Sequence, residues 1–120
     1  MILVDTSVWI EHLRGGSQEL ESLLMENQVM CHDFVIGELA CGNLKKRAEI
    51  LRLLGSLEMA ILAETNEVLN LVDKHRLYGR GLGWIDVHLI ASALLSGVKL
   101  WSLDKPLTRV TDKLGLRISY

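Results

Sequence analysis

Four acidic residues stand in apolar surroundings, and they carry the chemistry this sequence can do. Asp5 follows Ile2-Leu3-Val4, and Glu38 lies between Phe34-Val35-Ile36-Gly37 and Leu39-Ala40-Cys41. Asp86 lies within Trp84-Ile85-Asp86-Val87, and Asp104 closes Leu100-Trp101-Ser102-Leu103. A charge flanked by apolar residues must reach solvent, find a partner or hold a metal, because burying it alone is very costly. Each acid has a plain local reading. Asp5 and Asp104 can cap helices, Asp86 can face a helix dipole from the first turn, and Glu38 can lie on a solvated stripe. Brought together, four carboxylates repel unless cations sit among them. Hard oxygen ligands suit Mg²⁺, with Mn²⁺ as a substitute, and water and a substrate phosphate complete the shell. Such ions orient and deprotonate a water and stabilise charge on a phosphodiester.

Converging these acids requires particular elements. Ile2-Leu3-Val4 is a short apolar run with β-branched residues, as in a strand buried on both faces. Asp5, Thr6 and Ser7 after it are helix-start residues. Asp5 is therefore expected at the carboxyl end of a central strand, where open α/β sheets place their ligands. Val8 to Arg14 reads as a helix ended by Gly15-Gly16, and Ser17 caps a second carrying Leu20, Leu23 and Leu24. Val29 to His32 reads as a strand, with Asp33 capping a helix from Phe34 to about Cys41. Lys45 to Leu54 is amphipathic, Glu58 to Leu62 a third short strand, and Thr65 caps a helix through about His75. Tyr78 to Gly83 is a glycine-rich loop. Trp84 to Ser96 is helical with Gly97 as its C-terminal cap. Lys99 to Leu103 is a strand, Pro106 marks the first turn of a helix through Leu114, and Leu116 to Ser119 is an edge strand. This alternation predicts an α/β sandwich with a mostly parallel central sheet. No repeat, low-complexity run or linker interrupts it, so residues 1–120 are expected to form a single domain.

Composition narrows the function classes. The hydrophobic share of 49% argues for a packed core and against disorder. A net charge of −2 does not advertise nucleic-acid binding, yet an acidic metal site can coexist with a local basic surface. Two cysteines, Cys31 and Cys41, are too few for a disulfide scaffold, and the chain opens directly on a strand. A reducing cytoplasm is expected. No apolar run has the length of a membrane span, and no membrane association is expected.

At the four acids the sequence resembles PIN-domain ribonucleases and, among them, VapC-type toxins of toxin–antitoxin pairs. The opening Met-Ile-Leu-Val-Asp-Thr-Ser-Val-Trp-Ile resembles the first family motif. Its first acid then falls on Asp5, and its hydroxyl ligand or water-positioning residue on Thr6 or Ser7. The helical glutamate falls on Glu38, followed by a small residue, Gly42. The third acid falls on Asp86 in Asp86-Val87-His88-Leu89-Ile90-Ala91-Ser92-Ala93, and the fourth on Asp104 in Ser102-Leu103-Asp104-Lys105. No single motif is specific; the four in order, at this chain length, are. The pattern departs at Pro106-Leu107, where the family often has an aromatic. The resemblance implies a PIN-like α/β/α sandwich and a Mg²⁺-dependent endoribonuclease that cuts single strands with a metal-activated water. Asp5, Glu38, Asp86 and Asp104 would be metal ligands and catalytic residues. It also implies an RNA substrate, a VapB-like antitoxin that blocks the site, and a homodimer.

Other residues read less specifically. Arg80, in the glycine-rich loop before Asp86, is a candidate substrate contact. Lys45, Lys46 and Arg47 could meet phosphates, though such a run is more often a solvated face. Trp9, Trp84 and Trp101 each lie near an acid, and burial is the commoner state for them than base stacking. Cys31, His32 and Cys41 lack a fourth zinc ligand. Two other functions compete. A receiver-like Mg²⁺-binding signalling domain would need a phosphorylatable aspartate after the third strand, and nothing suitable follows Leu62. A non-catalytic protein-binding module would use the apolar faces of the first, second and fourth helices for an amphipathic partner.

Overall fold

The computed structural model describes residues 1–120. Four strands, β1 (Ile2–Val4), β2 (Val29–Cys31), β3 (Glu58–Met59) and β4 (Lys99–Trp101), form one sheet. Their order is β3-β2-β1-β4, and every pair is parallel. Parallel neighbours need crossover connections. Helices supply them: α1 (Thr6–Gly15), α2 (Gln18–Met25), α3 (Asp33–Ala40), α4 (Arg47–Gly55), α5 (Thr65–Lys74), α6 (Trp84–Ser96) and α7 (Lys105–Lys113). Every residue of β1 and β2 is buried, so both faces of the central sheet are covered, as the apolar runs require.

The topology fixes where a site can form. From β1 the chain steps outward through β2 to β3, then returns to place β4 on the other side of β1. The gap between β1 and β4 is therefore the switch point of the sheet, and open α/β folds bind ligands beyond the strand ends there. Register aligns the two ends. Val4 lies opposite Trp101, and the Asp5 amide donates to the Trp101 carbonyl at 2.9 Å.

Several expected boundaries shift for local physical reasons. The first helix begins at Thr6 rather than Val8, because Asp5 already caps it by accepting from the Thr6 amide. His32, not Asp33, caps α3, its ring Nδ1 accepting from the Phe34 amide at 3.0 Å. Glu64 rather than Thr65 precedes α5, and its amide donates to Glu67 Oε1 at 2.9 Å. Lys46 adopts a left-handed φ of 52°, which delays α4 to Arg47. The third strand shortens to Glu58–Met59, and the expected edge strand after Leu116 contracts to a single parallel bridge between Leu100 and Arg117. Each has only one neighbour with which to propagate pairing. Gly97 ends α6 with a left-handed φ of 68°.

Trp9, Leu3, Leu20, Leu54, Leu89, Ile90, Leu100 and Leu107 are the largest apolar side chains shut off from solvent. They draw on β1, β4 and five of the helices, so one cluster holds the switch point rigid. Replacing Leu3 with Ala removes a fully buried side chain from the central strand, and urea denaturation should show a loss of about 2–5 kcal/mol. The same change at exposed Leu69 should stay within about 0.5 kcal/mol.

Candidate active site

Asp5 is the most buried of the four acids, at 6% exposure, and both of its carboxylate oxygens are hydrogen-bonded. Oδ1 accepts from the Thr6 amide at 2.8 Å. Oδ2 accepts from two hydroxyls, Ser7 Oγ at 2.8 Å and Ser102 Oγ at 2.7 Å. Hydrogen bonds of this kind make burial of a charge tolerable. The same hydroxyls bind the other strand end, since Ser7 Oγ accepts from the Leu103 amide and Ser102 Oγ from the Asp104 amide, each at 3.0 Å. Asp104 caps α7 by accepting from the Leu107 amide at 3.1 Å. Both plain capping readings thus hold, for Asp5 and for Asp104, and neither prevents the acids from meeting.

Glu38 is exposed on α3 and reaches the first helix, where Thr6 Oγ1 donates to its Oε1 at 2.7 Å. Asp86 stands in the first turn of α6 and accepts from the Gly83 amide at 2.8 Å. Its carboxyl is held above the ordinary value of 3.8, first by burial, against the lowering effect of the Gly83 amide. The charges of Asp5, Asp104 and Glu38 raise it further. Asp86 therefore feels all three other acids, and no cation is among the charges that shift it.

The two helices that carry Glu38 and Asp86 are tied by groups the sequence did not single out. His32 Nδ1 accepts from the Phe34 amide, so the proton resides on Nε2, which lies 2.9 Å from Ser92 Oγ on α6. Burial lowers the His32 pKa, which keeps the ring neutral and able to accept. An edge-to-face aromatic chain runs alongside, from Trp84 through His88 (4.6 Å) and Phe34 (4.7 Å) to His32 (5.1 Å). Trp9 and Trp101 are buried, but Trp84 is 45% exposed beside Asp86.

Arg80 does not join the acids. Its Nε donates to the Arg76 carbonyl at 2.8 Å, and its side chain lines a separate pocket against α7. Ser102 is the main residue that sequence reasoning passed over. The only signal available was a small hydroxyl residue at the end of a strand, and its meaning depends on which strand lies next to β1. The cysteines form no site with His32: Cys31 is buried with its thiol raised to about 11, and Cys41 is exposed.

No three His, Cys, Asp or Glu side chains draw together into a ready-made chelating cluster. The donor set here is all carboxylate oxygen, coupled through space. That chemistry fits a hard cation that keeps part of its water shell better than one fully enclosed by protein. Beside Glu38 runs a groove of about 580 Å³ between α1, α3 and the start of α4, with Ile10, Leu13 and Leu39 facing Lys45 and Lys46 across it.

An all-parallel sheet with Asp5 and Asp104 at its switch point, and Asp86 within reach of their charges and that of Glu38, defines the class. The PIN domain family model matches residues 2–113, and the chain belongs to the PIN domain family. Within it the chain is of the VapC type: it is 46% identical over 120 residues to Ribonuclease VapC32 of Mycobacterium tuberculosis, covering 99% of this chain and 97% of that protein. The same figures hold in strains CDC 1551 / Oshkosh and H37Rv. Two solved structures share the fold. The crystal structure of PAE2754 from Pyrobaculum aerophilum superposes with a TM-score of 0.60 at 17% identity, covering 97% of this chain and 90% of that one. FitAB bound to an IR36 DNA fragment superposes with a TM-score of 0.62 at 19% identity, covering 93% and 91%.

The raised Asp86 pKa has a definite sign for stability. The folded state holds this proton more tightly than the unfolded chain, so the ionised group opposes folding above its folded pKa. That cost disappears as pH falls to the ordinary 3.8. Asp86→Asn keeps an oxygen for the Gly83 amide. In metal-free buffer at neutral pH it should raise Tm, and the gain should vanish near pH 4. Ser102→Ala removes the hydroxyl shared by Asp5 and the Asp104 amide. Chemical denaturation should register a loss of about 1–3 kcal/mol.

Proposed function

We propose that the protein is a Mg²⁺-dependent endoribonuclease, able to use Mn²⁺, and that it acts as the toxin of a toxin–antitoxin pair in the cytoplasm. A chain of this family and this likeness is an enzyme of the nuclease class. What supports the metal-dependent reading is the placement of Asp5 and Asp104 at neighbouring strand ends, with Glu38 tied to Thr6 beside Asp5, and the charges of all three bearing on Asp86.

Asp5, Asp86, Glu38 and Asp104 are the residues we assign to hold the metal. When bound, a hydrated divalent ion acidifies water and screens the charge that develops on the phosphodiester. The chain's own groups do the rest. Ser7 and Ser102 hold Asp5 in one orientation through Oδ2, leaving its charge directed at the strand ends. Thr6 keeps Glu38 turned toward the same point. Asp86 is set in place by the Gly83 amide, and the proton of the attacking water passes to a carboxylate oxygen of the site or to bulk water. The water oxygen bonds to phosphorus as one bridging P–O bond breaks, and the departing oxygen takes up a proton.

The antitoxin is the second assignment. The groove beside Glu38 has an apolar floor and a rim of Arg14, Lys45 and Lys46, which fits an amphipathic segment with acidic residues. A VapB-like partner seated there would cover Glu38. The homodimer is a further assignment, carried by family likeness alone.

Purified protein incubated with a mixed RNA pool should cut it with Mg²⁺ or Mn²⁺ and not with EDTA. Asp5→Asn should cut slower by at least about 10²–10³-fold, the range for losing one group that stabilises transition-state charge. A fully active Asp5→Asn protein would overturn the assignment.

A further inference from the structure

Beyond the four acids, the geometry points to a phosphate-binding subsite on the far side of Asp104, built from Arg80, Arg109 and Lys113. It holds the flanking backbone of the RNA strand, and it rests on the nuclease reading above. A pocket of about 470 Å³ is lined by Arg80, Pro106, Arg109, Val110, Asp112 and Lys113, so three cations face one acid in a protein of net charge −2. Two elements distant in sequence build it. Arg80 comes from the loop between α5 and α6, and the others come from α7.

The loop is shaped to make that approach. Gly79 and Gly81 adopt positive φ values of 69° and 78°, which L side chains rarely adopt. A Cβ at Gly81 would lie 3.5 Å from the Pro106 ring, so the loop rests on the first turn of α7. Arg80 sits between these glycines. Its Nε is anchored on the Arg76 carbonyl, leaving the terminal guanidinium nitrogens to face a ligand. Along α7, Lys105, Arg109 and Lys113 recur every four residues and so share one face. The opposite face, with Leu107, Val110 and Thr111, is buried.

Position links this pocket to the acids. Asp104 caps α7, so Arg109 and Lys113 lie roughly 7 and 13 Å further along the same helix axis. An RNA strand whose scissile phosphate lies over the acids would therefore run its neighbouring phosphates along this row. A single cationic helix face is commonly just solvated; here a second element, held by two positive-φ glycines, turns the face into a concave site.

The test is binding of a short labelled single-stranded RNA of mixed sequence, followed by anisotropy in EDTA across a range of salt. Arg109→Ala with Lys113→Ala should flatten the slope of log affinity against log salt by about 1.4, at about 0.7 for each phosphate no longer neutralised. Adding Arg80→Ala should flatten it further. The weakening should be about tenfold or more at low salt, fade as salt rises, and be similar for different RNA sequences. Arg52→Ala, on exposed α4, should leave the slope unchanged. An unchanged slope in the Arg109/Lys113 variant of a protein that still binds and cuts RNA overturns the subsite and leaves the nuclease reading standing. An equal loss with Arg52→Ala overturns it too, because the effect would then be one of net charge. Unsubstituted protein that neither binds nor cuts RNA overturns both.

Discussion

The hydrogen bond from Ser102 Oγ to Asp5 Oδ2, 2.7 Å long, joins the ends of the two strands on either side of the switch point. It lets an aspartate stay buried without an ion pair, since the carboxylate accepts from two hydroxyls and a backbone amide instead. Those partners are neutral, so the negative charge at the strand ends is retained rather than cancelled. The rest of the site depends on this choice. An arginine in place of the serines would offset that charge and weaken the attraction for a cation.

The other acids are placed by the same use of neutral partners. Thr6 holds Glu38, the Gly83 amide holds Asp86, and the Leu107 amide holds Asp104. Each anchor is a local feature of a helix start. Asp5 and Asp104 cap α1 and α7, and Asp86 takes an amide left free by α6. Capping and charge concentration therefore coincide. Helix N-termini stabilise carboxylates that would otherwise repel one another, and the fold brings three such termini to one edge. His32 extends this logic inward, capping α3 with one ring nitrogen and reaching Ser92 on α6 with the other.

Charge is partitioned over the surface. The acids gather over the β1/β4 gap, while Arg80, Arg109 and Lys113 gather along α7, and Lys45 and Lys46 border the groove beside Glu38. A net charge of −2 hides this separation. An acidic centre with basic flanks is the charge pattern that the proposed metal and RNA strand would require.

Much of this was legible in the amino-acid order alone. The apolar run Ile2-Leu3-Val4 ending at Asp5 announced a buried parallel strand with an acid at its mouth, and the Trp84–Ser96 helix with Gly97 at its end appears as its pattern foretold. These features are local: strand burial, helix period and cap chemistry act within a few residues. What depended on distant pairing was not legible. Ser102 acquires meaning only because β4 lies beside β1 in a register that sets Trp101 opposite Val4. Trp84 sits in an apolar pattern and reads as core, yet it is exposed, because α6 begins at the rim of the site. His32 gave way to Asp33 as the expected cap, since capping statistics favour the acid and only the packing of α3 on α6 rewards a ring with two nitrogens. Arg80, expected as a substrate contact, sits between two positive-φ glycines in a pocket it shares with α7, an arrangement that depends on how the loop packs against that helix. Sequence determined which residues bear charge and where each helix could start. The order of strands, a property of contacts far apart along the chain, decided which of those charges meet.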